Sequence, residues 1–213
     1  MKHLIILSIL FFGTMHTMFA SNYEQVMGET IQKMYTSQSA DELTAVANQF
    51  ERIATKETGQ WLPSYYQAYS YVMILHQNSG LSNDEKDRFL DKAQAVLEPL
   101  KKNFDKESEV FVLQGLVYQM RIIEESRGYQ YSMLSNEAFS IAEKLNPENP
   151  RALYLKGCNV FYTPEQFGGG AARAKPMLEK ANLLFLSNKE VNPLLPNWGK
   201  EHCTYMLEQC ASK

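Results

Sequence analysis

Chemistry in a protein needs nucleophiles, bases or metal ligands within reach of one another, and this sequence supplies few of them. Beyond residue 20 it holds two histidines, His76 and His202, neither in a metal-ligand pair at i, i+4 nor beside a plausible nucleophile. Each reads as an ordinary surface or core histidine. The Glu124-Glu125 pair and the scattered carboxylates read as solvated helix faces. The Gly168-Gly169-Gly170 run precedes a helical stretch, so its amides could hold an anion. It lacks the Lys-Ser/Thr of a phosphate loop and follows a helix rather than a strand, which makes a turn built from residues without side chains the better reading. No nucleophile, base and orienting group can be assembled. The expectation is a protein that is not an enzyme, with no metal site and no cofactor.

Three cysteines, Cys158, Cys203 and Cys210, fall in the last third of the chain. On one helix, Cys203 and Cys210 would stand about 10 Å apart at 1.5 Å per residue, too far for a direct bridge. A disulfide within the chain would therefore pair Cys158 with Cys203 or Cys210. The alternative is three buried, small, apolar side chains.

The compartment follows from the first twenty residues. Lys2 gives a positive start, Leu4 to Phe12 form an apolar run, and Phe19-Ala20 leads into polar Ser21. This is the pattern of a secretory signal cleaved after Ala20, and the run is too short to span a bilayer. The protein is expected to be exported, periplasmic or secreted in a bacterial cell envelope, with no transmembrane segment after cleavage. Losing Lys2 leaves residues 21–213 mildly acidic, since the whole chain already carries a net charge of −3. Phosphate-backbone partners require basic patches, so nucleic acid is excluded as a partner.

Apolar residues recur at three- and four-residue spacing almost throughout, and no sustained period-2 run appears. The expectation is all-α. Turn signals at Gly59, Gly80, Asp105, Gly128, Pro147, Pro150, the glycine run, Pro193 and Pro196 divide residues 21–213 into segments of helical length. Ser39 three residues before Glu42, and Ser82 three before Glu85, are helix starts.

An internal register emerges from these segments. Val46/Phe50/Ile53, Ala93/Leu97/Leu100, Ser135/Phe139/Ala142 and Ala174/Leu178/Ala181 each mark one helix face. Fifteen residues beyond the last member of the first three come Ala68, Gly115 and Gly157, each small, and Tyr71 and Tyr118 follow the first two at three residues. A small residue lets two helices approach, and the large one fills the space alongside.

At these residues the chain resembles the tetratricopeptide repeat, most closely at Asn136 to Pro147 and along Ala174 to Ala181. The resemblance covers about residues 22 to 186. It implies an α-α superhelix of about four hairpins, at 22–57, 60–104, 108–147 and 150–186, closed by a capping helix at about 197–211. The small residue and the last ladder position lie at 28 and 53, 68 and 100, 115 and 142, and 157 and 181. These spans exceed the standard repeat, so the helices or turns are elongated. The turn Thr163 to Gly170 with the ladder after it resembles one found in periplasmic tetratricopeptide-like proteins, including the partner subunits of TRAP-type transporters.

In the tetratricopeptide register the concave groove would be lined by Tyr65, Tyr69, Met73, Val112, Leu116, Gln119, Met120, Tyr154, Cys158, Phe161 and Tyr162. That lining is apolar and aromatic, which disfavours a clamp for charged peptide termini and suits an amphipathic helix, an extended apolar peptide or a flat organic solute. The leading expectation is a non-catalytic module that binds a protein or peptide partner through this groove. The alternative is a periplasmic small-molecule binder working beside a transporter. Leu194, Leu195, Trp198, Tyr205 and Met206 could instead fold back into the groove and fill it, since exposed patches of this kind are rare.

Overall fold

The computed structural model describes residues 22–188 and 192–212, so the expected signal segment lies outside the described residues. Among the described residues there are nine α-helices and no strand. They are α1 (22–36), α2 (Ala40–Lys56), α3 (Leu62–Gln77), α4 (Asn83–Asn103), α5 (Ser108–Met120), α6 (Glu125–Leu145), α7 (Pro150–Tyr162), α8 (Ala171–Ser187) and α9 (Lys200–Ala211). A single 3-10 turn, Glu165–Phe167, joins α7 to α8.

Local chemistry sets several of the starts. Ser39 accepts from the Glu42 amide at 3.2 Å to open α2. Ser82 and Glu85 form a reciprocal capping box that opens α4. Asn149 caps α7 through the Arg151 and Ala152 amides, with Pro150 at the first helical position, where its missing N–H has no helical partner to lose. The extra length lies in the second helices. Helices α4 and α6 have 21 residues each, against 13 in α5 and α7.

Successive helices pack antiparallel as hairpins, α3 on α4, α5 on α6, α7 on α8, and each hairpin stacks on the next. The first helices α3, α5, α7 and α9 also touch one another in turn, whereas α2, α4, α6 and α8 do not. The array is therefore curved, with the first helices on its inner face. Small residues make the close approaches possible. A Cβ added to Gly115 would stand 2.2 Å from Phe139 Cε1, and one on Gly157 would stand 3.0 Å from Leu178 Cδ2. Glycine at each place lets the first helix sit directly on a ladder residue of the second.

Helix α9 begins at Lys200, three residues later than the spacing predicts, because residues 192–199 are drawn out of helical geometry to dock on the inner face. Gly199 ends that stretch with φ at 103°, a backbone that disfavours side chains. Helix α9 packs against α8 and α7 in the position of a further first helix. None of the described helices is long and apolar enough to cross a membrane.

Candidate functional site

Residues 192–199, ahead of α9, run as a strap over the inner face. The Tyr66 hydroxyl donates to the Leu194 carbonyl at 2.9 Å, and Tyr35 donates to Asn197 Oδ1 at 3.2 Å. Trp198 stacks on Tyr69, centroids 5.3 Å apart and planes 15° from parallel, while its Nε1 donates to the Tyr65 hydroxyl at 2.9 Å. Arg151 fixes the far edge. Its guanidinium is buried and donates to both oxygens of Glu109, from Nε at 3.0 and 2.9 Å and from Nη2 at 2.8 Å, and it lies 5.7 Å from the Trp198 ring centre. Charge-assisted forks of this kind hold a planar geometry well.

The strap covers only the half of the inner face nearest the starts of the first helices. Toward the ends of α3, α5 and α7 the inner face carries side chains that make no contact with the strap. There Met73 on α3, Met120 on α5 and Tyr162 on α7 stand at equivalent positions, five residues beyond Ala68, Gly115 and Gly157, with His76 one turn further along α3; His202 and Tyr205 lie in the first half of α9. Met73 and Met120 are half-buried, His76 and His202 are exposed, and Tyr162 and Tyr205 are 70% and 50% exposed. The Tyr162 hydroxyl points to Met206 Sδ at 3.8 Å, which ties α9 to α7, and within α9 the His202 and Tyr205 rings lie 5.8 Å apart.

Both imidazoles have lowered pKa values. The pKa of His76 is lowered by desolvation and then by the charge His202 would carry, and that of His202 is lowered by desolvation. An exposed surface together with desolvation is what a side chain on the wall of a concavity experiences. Beneath His202 lies Tyr154, whose hydroxyl meets His202 Nδ1 at 2.5 Å. Burial raises the Tyr154 pKa, so the phenol keeps its proton.

Several expected lining residues are not available to a ligand. Tyr65 and Tyr69 lie under Trp198, Tyr154 lies under His202 and Phe185, and Val112, Leu116, Cys158 and Phe161 are buried. Gln119 spends its amide on the Leu155 carbonyl and Asn159 Oδ1, at 2.8 and 2.7 Å. Met73, Met120 and Tyr162 remain. The physical reason is the strap, which brings its own tryptophan and leucine to the apolar floor. Leu194 and Trp198 of the strap and Met206 of α9 supply the filling, whereas Tyr205, expected to help fill the groove, stays half exposed.

The cysteines are buried and form no disulfide with one another in this structure. Cys203 donates its thiol to the Leu178 carbonyl at 3.6 Å, and burial pushes the Cys158 and Cys203 thiols up to about 12 and about 11. Both are protonated and inert at neutral pH. The glycine run is a turn whose amides are spent internally. Gly168, Gly169 and Gly170 donate to the carbonyls of Glu165, Pro164 and Val160 at 2.9, 3.2 and 2.9 Å, leaving none of the three for an anion. Gly168 and Gly170 take φ of 88° and 99°, and a Cβ on Gly169 would stand 2.0 Å from the Thr163 carbonyl oxygen.

Sequence reasoning missed His76, His202 and Tyr205 as a group. The signal was present in part, because His76 falls three residues after Met73 on the face that carries Tyr69. A recess of about 650 Å3 opens near the starts of α5 and α7, among Lys106, Glu109, Asn149 and Arg151. Its central charges, Arg151 and Glu109, already neutralise each other.

Fold and inner face together define an all-α hairpin array half covered by its own C-terminal strap. A solved structure with this architecture is the HusA haemophore from Porphyromonas gingivalis, which superposes with a TM-score of 0.78 and is 28% identical over 89% of this chain and 93% of that one. No protein-family model matches the chain, and no curated protein does. The likeness to tetratricopeptide repeats is therefore one of helical-hairpin architecture.

Proposed function

We propose that this chain is an exported carrier that holds a flat, largely apolar tetrapyrrole such as haem in the open part of its inner face. The observation that carries the reading is the exposed lining of Tyr162 and Tyr205, flanked by Met73, Met120 and the two imidazoles. Aromatic rings and thioethers are costly to leave in water and suit a polarizable planar solute, which can stack on the first and press against the second. The similar solved structure is that of a haemophore, which supports the same reading.

A peptide partner is less well supported. The strap already occupies the line that an extended peptide would take along α3, including its stacking position on Tyr69. The chain is read as a carrier rather than a catalyst, because a binding cleft with neutral histidines and no nucleophile suffices for that role.

The test is a titration of residues 21–213 with ferric haem, followed by quenching of Trp198 and tyrosine fluorescence. Saturable, one-to-one quenching at low micromolar haem is expected. Quenching that stays linear and is abolished by detergent would reject a specific site.

A further inference from the structure

The recess at the starts of α3, α5 and α7 has a floor that needs nothing from a ligand. Arg151 and Glu109 neutralise each other there, Asn149 donates to Ser108 Oγ at 3.0 Å and to Glu109 Oε1 at 2.7 Å, and Ser108 donates to the Ala142 carbonyl at 2.8 Å. A buried network satisfied in this way is rigid and carries no net charge. The rim differs, because its polar groups are unspent. Trp61 is the N-cap of α3, a position that favours Ser, Thr, Asp or Asn, and its side chain caps nothing. Its ring stands edge-on to the buried Tyr65, centroids 5.4 Å apart and planes at 90°, which fixes the indole while its Nε1–H finds no acceptor among the described residues. Glu107, the N-cap of α5, likewise caps nothing. Asn146 spends its Oδ1 on the Glu148 amide at 3.1 Å and keeps its own amide donors, and neither Lys106 nor Glu148 forms an ion pair with a described residue.

We propose that this recess is a saccharide site, in which a hexopyranose ring lies against Trp61 and its hydroxyls bridge the unspent donors and acceptors of the rim. The inference is independent of the tetrapyrrole reading, which concerns the other end of the first helices. The volume of about 650 Å3 falls within the usual range for a small-molecule pocket, roughly 300–1,000 Å3.

The chemistry of the rim selects the class. The indole of Trp61 and the ammonium of Lys106 only donate, the carboxylates of Glu107 and Glu148 only accept, and a hydroxyl does both. Several hydroxyls on one rigid ring therefore meet both kinds at little conformational cost. The indole, with half-buried Leu184 and Leu195, supplies the apolar side that the C–H face of a pyranose requires. An anion is disfavoured, because Glu107 and Glu148 outweigh Lys106 once Arg151 and Glu109 cancel. Exposed charges of both signs, screened by water, fix a zwitterion poorly.

The experiment titrates cellobiose, N,N′-diacetylchitobiose and, as the competing class, the zwitterionic tripeptide Leu-Gly-Gly into residues 21–213, followed by chemical-shift mapping. At least one of the sugars is expected to give saturable shifts in the millimolar range at the Trp61 indole N–H and the Asn146 side-chain amide, and the tripeptide none. Trp61→Leu keeps an apolar group against Tyr65 and should weaken sugar binding about tenfold through the lost stacking surface. Lys106→Ala combined with Asn146→Ala changes only exposed side chains and should also weaken it about tenfold, through two lost hydrogen bonds. Circular dichroism establishes that both variants fold. The proposal is overturned if neither sugar moves the Trp61 signal, if the tripeptide moves it and the sugars do not, or if the Lys106, Asn146 double variant binds sugar as tightly as wild type.

Discussion

Replacing Trp198 with Ala removes the clasp of the strap. The side chain contributes a stacked pair with Tyr69 worth about 1 kcal/mol beyond area burial, and a hydrogen bond to Tyr65 worth about 1 kcal/mol. Its half-buried rings add on the order of 2 kcal/mol of apolar burial at about 25 cal/mol per Å2. Against this stands the side-chain and backbone entropy that an undocked strap regains, about 1 kcal/mol or more. The net loss is then about 3 kcal/mol, and at roughly 3 °C per kcal/mol for a domain of this size the midpoint should fall by about 9 °C. Differential scanning calorimetry measures that shift, and hydrogen exchange locates it, with faster exchange at 192–199 and little change in α5 to α8. Trp198→Phe retains part of the stack but leaves the fully buried Tyr65 hydroxyl without its donor, so it should fall between wild type and Trp198→Ala. A midpoint within about 2 °C of wild type, with unchanged exchange across the strap, would refute the view that Trp198 holds it closed.

The Arg151–Glu109 fork gives an independent test of the same region. Arg151→Met strands a buried carboxylate and should cost about 3–5 kcal/mol in chemical denaturation, whereas Arg151→Met with Glu109→Leu should recover most of it. Gly115→Ala puts a methyl 2.2 Å from Phe139 and should cost about 3 kcal/mol, partly regained by Phe139→Leu; a neutral Gly115→Ala would mean that α5 and α6 are further apart than described. The folded-state pKa values of His76 and His202 lie below the ordinary 6.5, so unfolding takes up protons below that value. Their contribution is complete above about pH 6.5 and is lost as the pH falls through the lowered values. A His76→Gln, His202→Gln protein should show a shallower decline of stability with acid, read from urea midpoints at successive pH values, and an identical decline would contradict the assigned shifts.

The all-α array was legible because its signals are local. Phe139 three and four residues from Ala142 and Ser135 marks a helix face, and Gly115 is the small residue that such a face requires opposite it. The actual contact, a glycine with Phe139 against it, is what that spacing implies. The strap was not legible in the same way. Leu194 and Trp198 are recognisable as apolar, but their partners Tyr66 and Tyr69 are far away in sequence, and no periodicity links an irregular segment to the helix it covers. For the same reason Tyr65, Tyr69 and Tyr154, which the helical register places on the inner face, could not be distinguished from open groove residues. The histidines illustrate the converse case. Nothing in their spacing joins His76 to His202, and only the return of α9 alongside α7 brings an imidazole over the Tyr154 hydroxyl.

The central claim is that the ligand occupies the open end of the inner face, beside the strap rather than beneath it. The most direct test is amide and side-chain chemical-shift mapping of residues 21–213 with iron-free protoporphyrin IX, which avoids paramagnetic loss of nearby signals. The account predicts shifts concentrated at Met73, His76, Met120, Tyr162, His202 and Tyr205, with Tyr65 and Leu194 unmoved. Shifts centred on the recess at Lys106 and Arg151, or on Tyr65 and Tyr69 with release of the strap, would contradict it.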